Sequence, residues 1–307
     1  MAERIIKQIA RDNRSGAAEI LRRASEALSL LEAHEQDDIE NARRRVIAAC
    51  AAIARAQPGM APLVNLASAV VVAALASPRA DEVMRASAAT ASAFFDNASR
   101  AATAAALRAA SLIYEGATIL THSRSSTVLA ALKEAKASGK SVRVIATESR
   151  PVLEGRALAE SLARASINVT LIADAAAAAA LEKADCVLVG ADKVTPENSI
   201  NKIGTRMIAL AARERNVPVY ALCDTSKFTS HTGSSSLRAD QRSPDELWPA
   251  APEGIEVLNC YFEPTPLDYF TAVITEDGSL LPEQARQRAR AAVIDQALLD
   301  AMGNESP

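Results

Sequence analysis

The sequence lacks the cysteine and histidine clusters that build structural metal sites or disulfide frameworks. Its 307 residues include four cysteines and three histidines. Zinc sites and disulfide-rich folds both need these residues at close or regular spacing. The cysteines are instead far apart and form no CxxC pair, so we expect no metal, no other cofactor and no disulfide framework. They are Cys50, Cys186, Cys223 and Cys260.

The sequence also lacks a strong excess of charge of one sign. It has 34 Lys and Arg residues against 37 Asp and Glu residues, a net charge of -3, and the two signs are interspersed. Proteins that bind nucleic acid usually carry a basic patch or stripe. We therefore expect no nucleic-acid partner.

No run of apolar residues is long enough to suggest a membrane span. The most apolar segment, from Pro62 to Ser77, falls short of the roughly 20 residues that cross a bilayer. The amino-terminal segment MAERIIKQIARDNRSG is charged and has no apolar core of the kind found in secretion signals. We expect a cytoplasmic protein with no membrane partner.

The first third of the chain has the apolar periodicity of helices and no alternating, strand-like runs. This pattern predicts a helical domain over residues 1–110. Asp37 and Asp38 mark the start of a helix at Ile39, and Gln57-Pro58-Gly59 ends it. The residues that share one face of an earlier helix are Ile20, Leu21, Ala24, Leu28 and Leu31.

After Gly116 the pattern changes to short β-rich runs separated by amphipathic helices. This alternation is typical of βαβ units and predicts an α/β domain with a doubly wound parallel sheet over residues 111–307. In such sheets ligands bind beyond the carboxyl ends of the strands, where polar residues follow each run here. The runs are ATILT, SVRVIAT, NVTLIA, CVLVGA and PVYALC.

Three segments outside these runs have simpler interpretations. Asp174 is predicted to cap a helix that contains the alanine tract 175–180. The stretch from Thr229 to Arg242 is rich in Ser, Gly and charge, which predicts a mobile loop or lid. The segment from Glu283 to Met302 is predicted to be one closing helix.

The polar segment after the first predicted strand is a candidate anion site. Ser125, Ser126 and Thr127 lead into a helix over residues 128–137. Backbone N–H groups and hydroxyls that converge at a helix N-terminus attract phosphate. An ordinary capped helix is the alternative.

A similar turn lies in the helical domain. Arg14, Ser15, Gly16 and Ala17 come just before a helix that begins near Ala18, so they place a basic residue at a helix N-terminus. Here too the alternative is a simple helix cap.

Asp192 ends the run CVLVGA, where a carboxylate points into the crevice and can move protons. A helix cap or a salt bridge to Lys202 is the alternative role. Asn201 and Lys202 precede the next helix, and Lys227 follows the next strand. Together these groups suit a phosphorylated polyol, because lysine serves as a point charge for phosphate.

Four segments, THSRSSTVL, ATESRPVLEGR, VGADKVTPENSINKIGT and CDTSKF, occur in an order and spacing that resemble one protein family. This is the initiation factor 2B alpha/beta/delta subunit family, which includes ribose-1,5-bisphosphate isomerase and methylthioribose-1-phosphate isomerase. The resemblance implies an N-terminal helical domain, a Rossmann-like C-terminal domain and assembly into dimers or hexamers.

The resemblance also implies roles for individual residues. Asp192 and the residue at position 123 would be catalytic in an aldose-ketose isomerase. Phosphate and sugar binding would involve Arg14, Ser15, Gly16, Ala17, Ser125, Ser126, Thr127, Asn201, Lys202 and Lys227.

Two departures from the family pattern bear on activity. The family's cysteine is Ser123 here, and a serine hydroxyl is a weak base without an activating partner. No such partner is evident beside it unless His122 turns towards it, and Cys223 on a neighbouring strand is expected to face the core. Gln57 stands where the family has an arginine, which removes one expected phosphate partner.

Two functions are therefore open. The first is a sugar-phosphate isomerase of the ribose-1,5-bisphosphate type, working through Asp192 and Ser123. The second is a non-catalytic subunit that senses a sugar phosphate or a nucleotide monophosphate, as the alpha regulatory subunit of initiation factor 2B would.

Overall fold

We describe the fold from a computed structural model, which covers residues 1–12, 15–31, 38–231 and 241–303. The chain forms two compact units, each assembled from separate parts of the sequence. The sequence predicts a domain boundary after residue 110. Compact units are not the same as independently folding domains, so this boundary stays a prediction. Unit 1 comprises residues 1–100, 226–231 and 291–307, and unit 2 comprises residues 101–225 and 232–290.

The helices of the described residues match the predicted division into a helical first third and an α/β remainder. Helices α1 to α4 and α11 lie in unit 1, α6 to α10 begin in unit 2, and α5 continues from one unit into the other. The helices are α1 (Ala2–Ala10), α2 (Ala17–Ser29), α3 (Ile39–Ala56), α4 (Ala61–Ala76), α5 (Ala80–Leu112), α6 (Ser126–Ala137), α7 (Glu154–Arg164), α8 (Ala177–Ala180), α9 (Thr205–Glu214), α10 (Pro282–Ala291) and α11 (Gln296–Gly303).

The start of α3 confirms the predicted helix signal. The side chain of Asp38 accepts a hydrogen bond of 2.7 Å from the backbone N–H of Asn41, which satisfies one of the donors that a helix start leaves without an intrahelical partner. The helix ends before the Gln57-Pro58-Gly59 turn, as predicted, and α4 starts with Pro62 in its first turn.

The core of unit 1 contains the apolar face that the periodicity indicated on α2, together with faces of other helices. Ile20, Leu28, Ile53 and Leu66 are fully buried in it, and Leu298 of α11 joins them. Burying a side chain of this size contributes about 1.5–3 kcal/mol to stability. The last helix therefore belongs with the first four.

The prediction of one closing helix from Glu283 to Met302 is wrong. Two helices, α10 and α11, flank a break at residues 292–295. Asp295 fixes this break: its backbone N–H donates to Ser68 Oγ at 2.9 Å, and its carboxylate accepts the N–H of Ala297 at 2.9 Å. A new cap therefore starts α11.

Unit 2 contains the predicted parallel sheet. Its strands lie in the order β10-β9-β7-β4-β1-β2-β3, and every neighbouring pair is parallel except β9 and β10. All five predicted strands are confirmed, and β9 adds a sixth parallel strand. The strands of the described residues are β1 (Thr118–Thr121), β2 (Arg143–Thr147), β3 (Asn168–Ile172), β4 (Cys186–Gly190), β5 (Lys193–Val194), β6 (Asn198–Lys202), β7 (Val219–Leu222), β8 (Phe262–Pro266), β9 (Ala272–Thr275) and β10 (Gly278–Leu280).

Helices pack on this sheet through one apolar face each. Val128 and Leu132 of α6, and Leu158 and Leu162 of α7, are fully buried in the core of unit 2. Each pair is spaced by four residues, so both members lie on the same side of their helix.

A second, antiparallel sheet in unit 2 has the order β5-β6-β8. The sequence pattern did not predict it, because its strands are short and mostly polar. Pro264 and Pro266 lie in β8, which among the described residues is an edge strand of this sheet, paired with β6. Proline is tolerated there because an edge strand has one side without ladder bonds.

Two sequence expectations, a lid and the absence of a membrane span, can be compared only with the described residues. The predicted lid from Thr229 to Arg242 falls largely on residues 232–240, which lie outside them. Within the part of the chain that the structure covers, no helix has both the length and the apolar character needed to cross a membrane.

Candidate functional site

Strands β1 and β4 of unit 2 lie side by side where the order of the sheet reverses. Strands β2 and β3 extend from β1 in one direction, and β7 and β9 extend from β4 in the other. Crevices at such a switch point, beyond the carboxyl ends of the strands, are the usual ligand sites of open α/β sheets. Ser123 comes just after the end of β1, and Asp192 just after the end of β4.

A close approach at Gly190 brings the segments after these two strands together. A Cβ atom on Gly190 would lie 2.8 Å from Ser125 Cβ and 2.9 Å from Ser125 Oγ, with Asn201 Oδ1 at 3.8 Å. Only glycine leaves room for the serine at this point. Ser125 and Asn201, both predicted ligand residues, therefore lie beside the end of β4.

Ser125 caps helix α6, as the simpler interpretation of this segment predicted. Its Oγ accepts a hydrogen bond of 3.3 Å from the backbone N–H of Val128. Ser126 is exposed and Thr127 is buried in the first turn. Backbone N–H groups of a first turn have no partner within the helix, so the same segment can also receive an anion.

Asp192 is half-buried at the start of the antiparallel sheet. Its backbone N–H donates to the carbonyl oxygen of Ile200 at 2.9 Å, and strand β5 follows directly. A role as helix cap is therefore wrong. The adjacent Lys193 is buried, and this burial lowers its pKa to about 8.

Lys202, a predicted ligand residue, forms an ion pair with Glu154. Its Nζ atom lies 2.8 Å from Glu154 Oε1 and 4.7 Å from the centre of the Tyr261 ring, and its side chain is 3% exposed. Its carbonyl oxygen accepts from Thr205 Oγ1 at 2.7 Å, and that hydroxyl accepts from Asn201 Nδ2 at 3.0 Å. These bonds fix the turn between β6 and α9.

Ser123 has a carboxylate partner that the sequence did not reveal. Its Oγ donates to Glu154 Oε1 at 3.0 Å, and its backbone N–H donates to Ser149 Oγ at 2.8 Å. Its backbone lies in the left-handed region, with φ at 66°. The other carboxylate oxygen, Glu154 Oε2, is buried and has no hydrogen-bond partner among the described residues.

His122 does not face Ser123, contrary to the possibility raised above. Its Nε2 lies 2.7 Å from the carbonyl oxygen of Ile203, and its Nδ1 lies 2.6 Å from Thr147 Oγ1. Both ring nitrogens are therefore used in holding strands and turns together. Gly204 packs on the imidazole, where a Cβ would lie 3.0 Å from His122 Cε1.

The prediction that Asp174 caps the alanine-rich helix is wrong. Its two carboxylate oxygens accept the backbone N–H groups of Ser149 and Arg150, each at 2.7 Å. The carboxylate after β3 thus holds the turn that follows β2. This turn supplies both Ser149, which binds the backbone of Ser123, and Glu154.

The predicted phosphate-binding turn of the helical region lies in unit 1. Arg14 is outside the described residues. The backbone N–H of Ser15 donates to Asp12 Oδ1 at 2.9 Å, Gly16 caps α2, and Ala17 is its first residue. The predicted helix start near Ala18 is confirmed.

Lys227 also belongs to unit 1 and is half-buried. Asn65 holds the backbone on both sides of it: its Nδ2 donates to the carbonyl oxygens of Ser226 at 2.6 Å and Phe228 at 2.8 Å. The lysine therefore projects from a fixed segment.

Two residues singled out by their departure from the family pattern, or by their position, are structural. Gln57 is buried, and its Nε2 donates to the carbonyl oxygens of Ile9 at 3.0 Å and Asp12 at 2.9 Å. Cys223 is 1% exposed, which agrees with the expected core position.

Among the described residues, no group of three or more His, Cys, Asp or Glu side chains could hold a metal ion.

Glu154, Asp174 and Ser149 were not among the residues predicted to form the site. Ser123 and Asp192 lie just after the ends of their strands, whereas Glu154 returns to the site only after the turn that follows β2. The signal that could have found it is the segment ATESRPVLEGR, which places a carboxylate in the first turn of a helix after a strand.

Comparison with known proteins identifies the family. The family described as the initiation factor 2 subunit family matches residues 13–282. The chain belongs to this family. Both the Ser123 and the Asp192 segments lie within the matched region.

Relatives of this initiation factor 2 subunit family member carry different functional names. A ribose 1,5-bisphosphate isomerase of Archaeoglobus fulgidus is 43% identical over 180 residues, 56% of this chain and 56% of that protein, so the match spans about half its length. A putative translation initiation factor eIF-2B subunit 2-like protein of Pyrococcus furiosus is 34% identical over 91% of this chain and 96% of its own.

Solved structures show the same fold. The translation initiation factor eIF-2B of Pyrococcus horikoshii OT3 matches with a TM-score of 0.79 at 29% identity, over 92% of this chain and 97% of that one. The predicted α/β class with an N-terminal helical region is confirmed.

Proposed function

We propose that this protein binds a ribose-type sugar phosphate and converts it from an aldose 1-phosphate to a ketose. The observation that carries the proposal is the placement of Ser123 and Asp192 beyond neighbouring strands β1 and β4 at the switch point. The isomerase relative, whose match is confined to about half its length, supports the same reaction class.

The chemistry requires two proton-transfer groups. In an aldose 1-phosphate the phosphate ester at C1 prevents ring opening to a free aldehyde, so isomerisation must break the bond between C1 and the ring oxygen directly. A base must remove the proton from C2 while an acid protonates the departing ring oxygen. We assign the role of the acid to Asp192. The base that removes the C2 proton is assigned to the side of the site that contains Ser123.

Phosphate binding is assigned within unit 2 to the first turn of α6, with Ser125, Ser126 and Thr127, and to Asn201 and Lys202. A helix N-terminus and a lysine both favour an anion. The binding roles predicted for Arg14, Ser15, Gly16, Ala17 and Lys227 stay predictions.

We also propose that the protein forms a homo-oligomer. Light scattering after gel filtration tests this, and the mass of a single chain would contradict it.

The test is conversion of ribose 1,5-bisphosphate, followed by NMR for the appearance of the ketose. The wild-type protein is expected to form the ketose, and Asp192→Asn to lose turnover while it still binds the sugar phosphate. Unchanged turnover in this variant would exclude the assignment of Asp192.

Thermal-shift measurement with the same ligand separates this function from the regulatory alternative. Ligand that binds only the folded protein raises its melting temperature. Stabilisation without conversion would indicate a ligand-sensing subunit. Absence of both stabilisation and conversion, with methylthioribose 1-phosphate, AMP and GMP as further ligands, would overturn the proposal.

A further inference from the structure

Ser123 needs help to take part in proton transfer, and this inference rests on the isomerase function proposed above. A serine hydroxyl is almost entirely protonated at neutral pH, so it acts as a base only where a neighbouring group takes its own proton. Active sites meet this need with a base within hydrogen-bond reach, which a third group orients.

Glu154 has the geometry of that base. Ser123 Oγ donates to Glu154 Oε1 at 3.0 Å. The serine is held in this position through its backbone, because its N–H donates to Ser149 Oγ at 2.8 Å. Ser149 is in turn fixed by Asp174, so the approach of the hydroxyl to the carboxylate is set by two neighbouring strand ends.

Lys202 orients the carboxylate. Its Nζ lies 2.8 Å from Glu154 Oε1, the same oxygen that accepts from Ser123. Because the lysine is 3% exposed and lies over the Tyr261 ring, it has little freedom to move away. The ion pair therefore fixes which oxygen of Glu154 faces the serine.

Glu154 Oε2 has no hydrogen-bond partner among the described residues although it is buried. An unsatisfied buried oxygen of this kind is costly because it loses its hydration without gaining a partner, so a folded protein rarely keeps one without a reason. The cost is consistent with a carboxylate kept ready to receive a proton.

We propose that Glu154 is the positioning residue that takes the hydroxyl proton of Ser123, so that Ser123 and Glu154 form a proton relay whose carboxylate is oriented by Lys202. In the forward step the C2–H bond of the sugar breaks and its proton goes to Ser123 Oγ. The original hydroxyl proton of Ser123 passes to Glu154, and the electron pair of the C–H bond forms the C1=C2 double bond.

The remaining protons balance through Asp192. The bond between C1 and the ring oxygen breaks as the double bond forms, and Asp192, in its acid form, protonates that oxygen. In the second half the C2 hydroxyl returns a proton to Asp192 as the C2 carbonyl forms. Ser123 then gives its proton to C1 and recovers one from Glu154, which restores the starting state.

The experiment compares kcat and KM for ribose 1,5-bisphosphate in four full-length proteins: wild type, Glu154→Gln, Ser123→Cys and the double variant. Loss of a general base lowers kcat by about 100-fold or more, and KM is expected to change by less than about threefold because ground-state binding is retained. Glu160→Gln is the matched control, since this glutamate pairs with Arg164 on the exposed side of the same helix.

The cysteine background gives a readout that a structural role would not move. A thiol ionises near pH 8.5 without a partner, and removing the adjacent carboxylate favours the thiolate further. Glu154→Gln is therefore expected to leave kcat unchanged or raised in the Ser123→Cys protein. The activity of the Ser123→Cys protein should rise with pH as its thiol ionises. In the double variant the same rise should occur at lower pH.

Two outcomes would overturn the relay: wild-type kcat in Glu154→Gln, or an equal loss of kcat in both backgrounds, which would mean that Glu154 only supports the fold. Failure of the proposed function is distinct, since the wild-type protein would then form no ketose. If Glu154→Gln does not fold, as judged by its melting temperature, Glu154→Asp replaces it in both backgrounds because its shorter side chain withdraws the carboxylate from Ser123.

Discussion

His122 lies 2.7 Å from the carbonyl oxygen of Ile203 through its Nε2 atom. A carbonyl only accepts, so Nε2 carries the hydrogen, and in the neutral ring Nδ1 accepts from Thr147 Oγ1. Burial lowers the pKa of His122, because the charged ring would lose its hydration. The neutral imidazole thus joins the end of β1 to the end of β2 and to the turn before α9.

We predict that His122 makes the stability of the protein depend on pH. Because its pKa is lower in the folded chain than its ordinary value of 6.5, the unfolded chain binds more protons between these two values. The contribution of His122 is therefore complete above about pH 6.5 and is lost as the pH falls towards the folded pKa, by up to about 1.4 kcal/mol per pH unit.

Urea unfolding between pH 8 and pH 5 measures this effect. His122→Asn is expected to be less stable than wild type at pH 8, since two hydrogen bonds are disturbed, and to lose less stability on acidification. A variant whose free energy of unfolding falls as steeply as that of wild type would assign the pH dependence to other groups.

The strands could be predicted, and a candidate site could be placed at their ends, because both depend on local pattern. Runs such as CVLVGA are apolar and rich in β-branched residues, and each is followed by polar residues. A parallel sheet places those polar ends along one edge, which is why the segments that contain Ser123 and Asp192 were identified from the sequence. Asn201 lies instead in β6 of the antiparallel sheet.

The network around Ser123 could not be predicted, since it depends on how a turn folds back. Glu154 is separated from β2 by a turn in which Ser149 and Leu153 have left-handed backbone, with φ at 64° and 62°. Asp174 resembles a helix cap in the sequence, yet it binds this turn across the sheet edge. Both roles arise from tertiary contacts.

Gly155 is predicted to be essential for the same turn. A Cβ on this residue would lie 1.9 Å from the carbonyl oxygen of Thr147 and 2.9 Å from Ser149 Oγ. The nearest atom is backbone, so Gly155→Ala must shift the chain, at a cost of about 1–3 kcal/mol or more. Because Glu154 is the adjacent residue, turnover is expected to fall as well.

The matched control for this change is Gly303→Ala, at a position with open space around an added Cβ. Guanidinium unfolding of both variants measures the difference. Equal stability of the two alanine variants would show that the turn adapts at little cost.

The native cysteines are predicted to be unreactive. Burial raises the pKa of Cys50 to about 12, and it raises that of the partly exposed Cys186 to about 12 with help from the nearby charge of Asp185. Cys223 and Cys260 are buried. Only the thiolate attacks a disulfide reagent. Ellman's reagent at pH 8 should therefore detect almost no thiol in the folded protein. In denaturant it should detect four, the number of cysteines in the sequence. Rapid labelling without denaturant would contradict this prediction.

Gln57 is predicted to stabilise unit 1 by linking the segment after α3 to the end of α1. Its amide donates to the carbonyl oxygens of Ile9 and Asp12, at the end of α1 and just beyond it, and its side chain is buried. Gln57→Leu keeps the approximate size but removes both donors, which should lower the free energy of unfolding by about 1–3 kcal/mol. The exposed Gln287→Leu is the control and is expected to change it by less than about 0.5 kcal/mol. If both leucine variants unfold at the same urea concentration as wild type, the two bonds of Gln57 do not contribute net stability, and its buried position reflects packing alone.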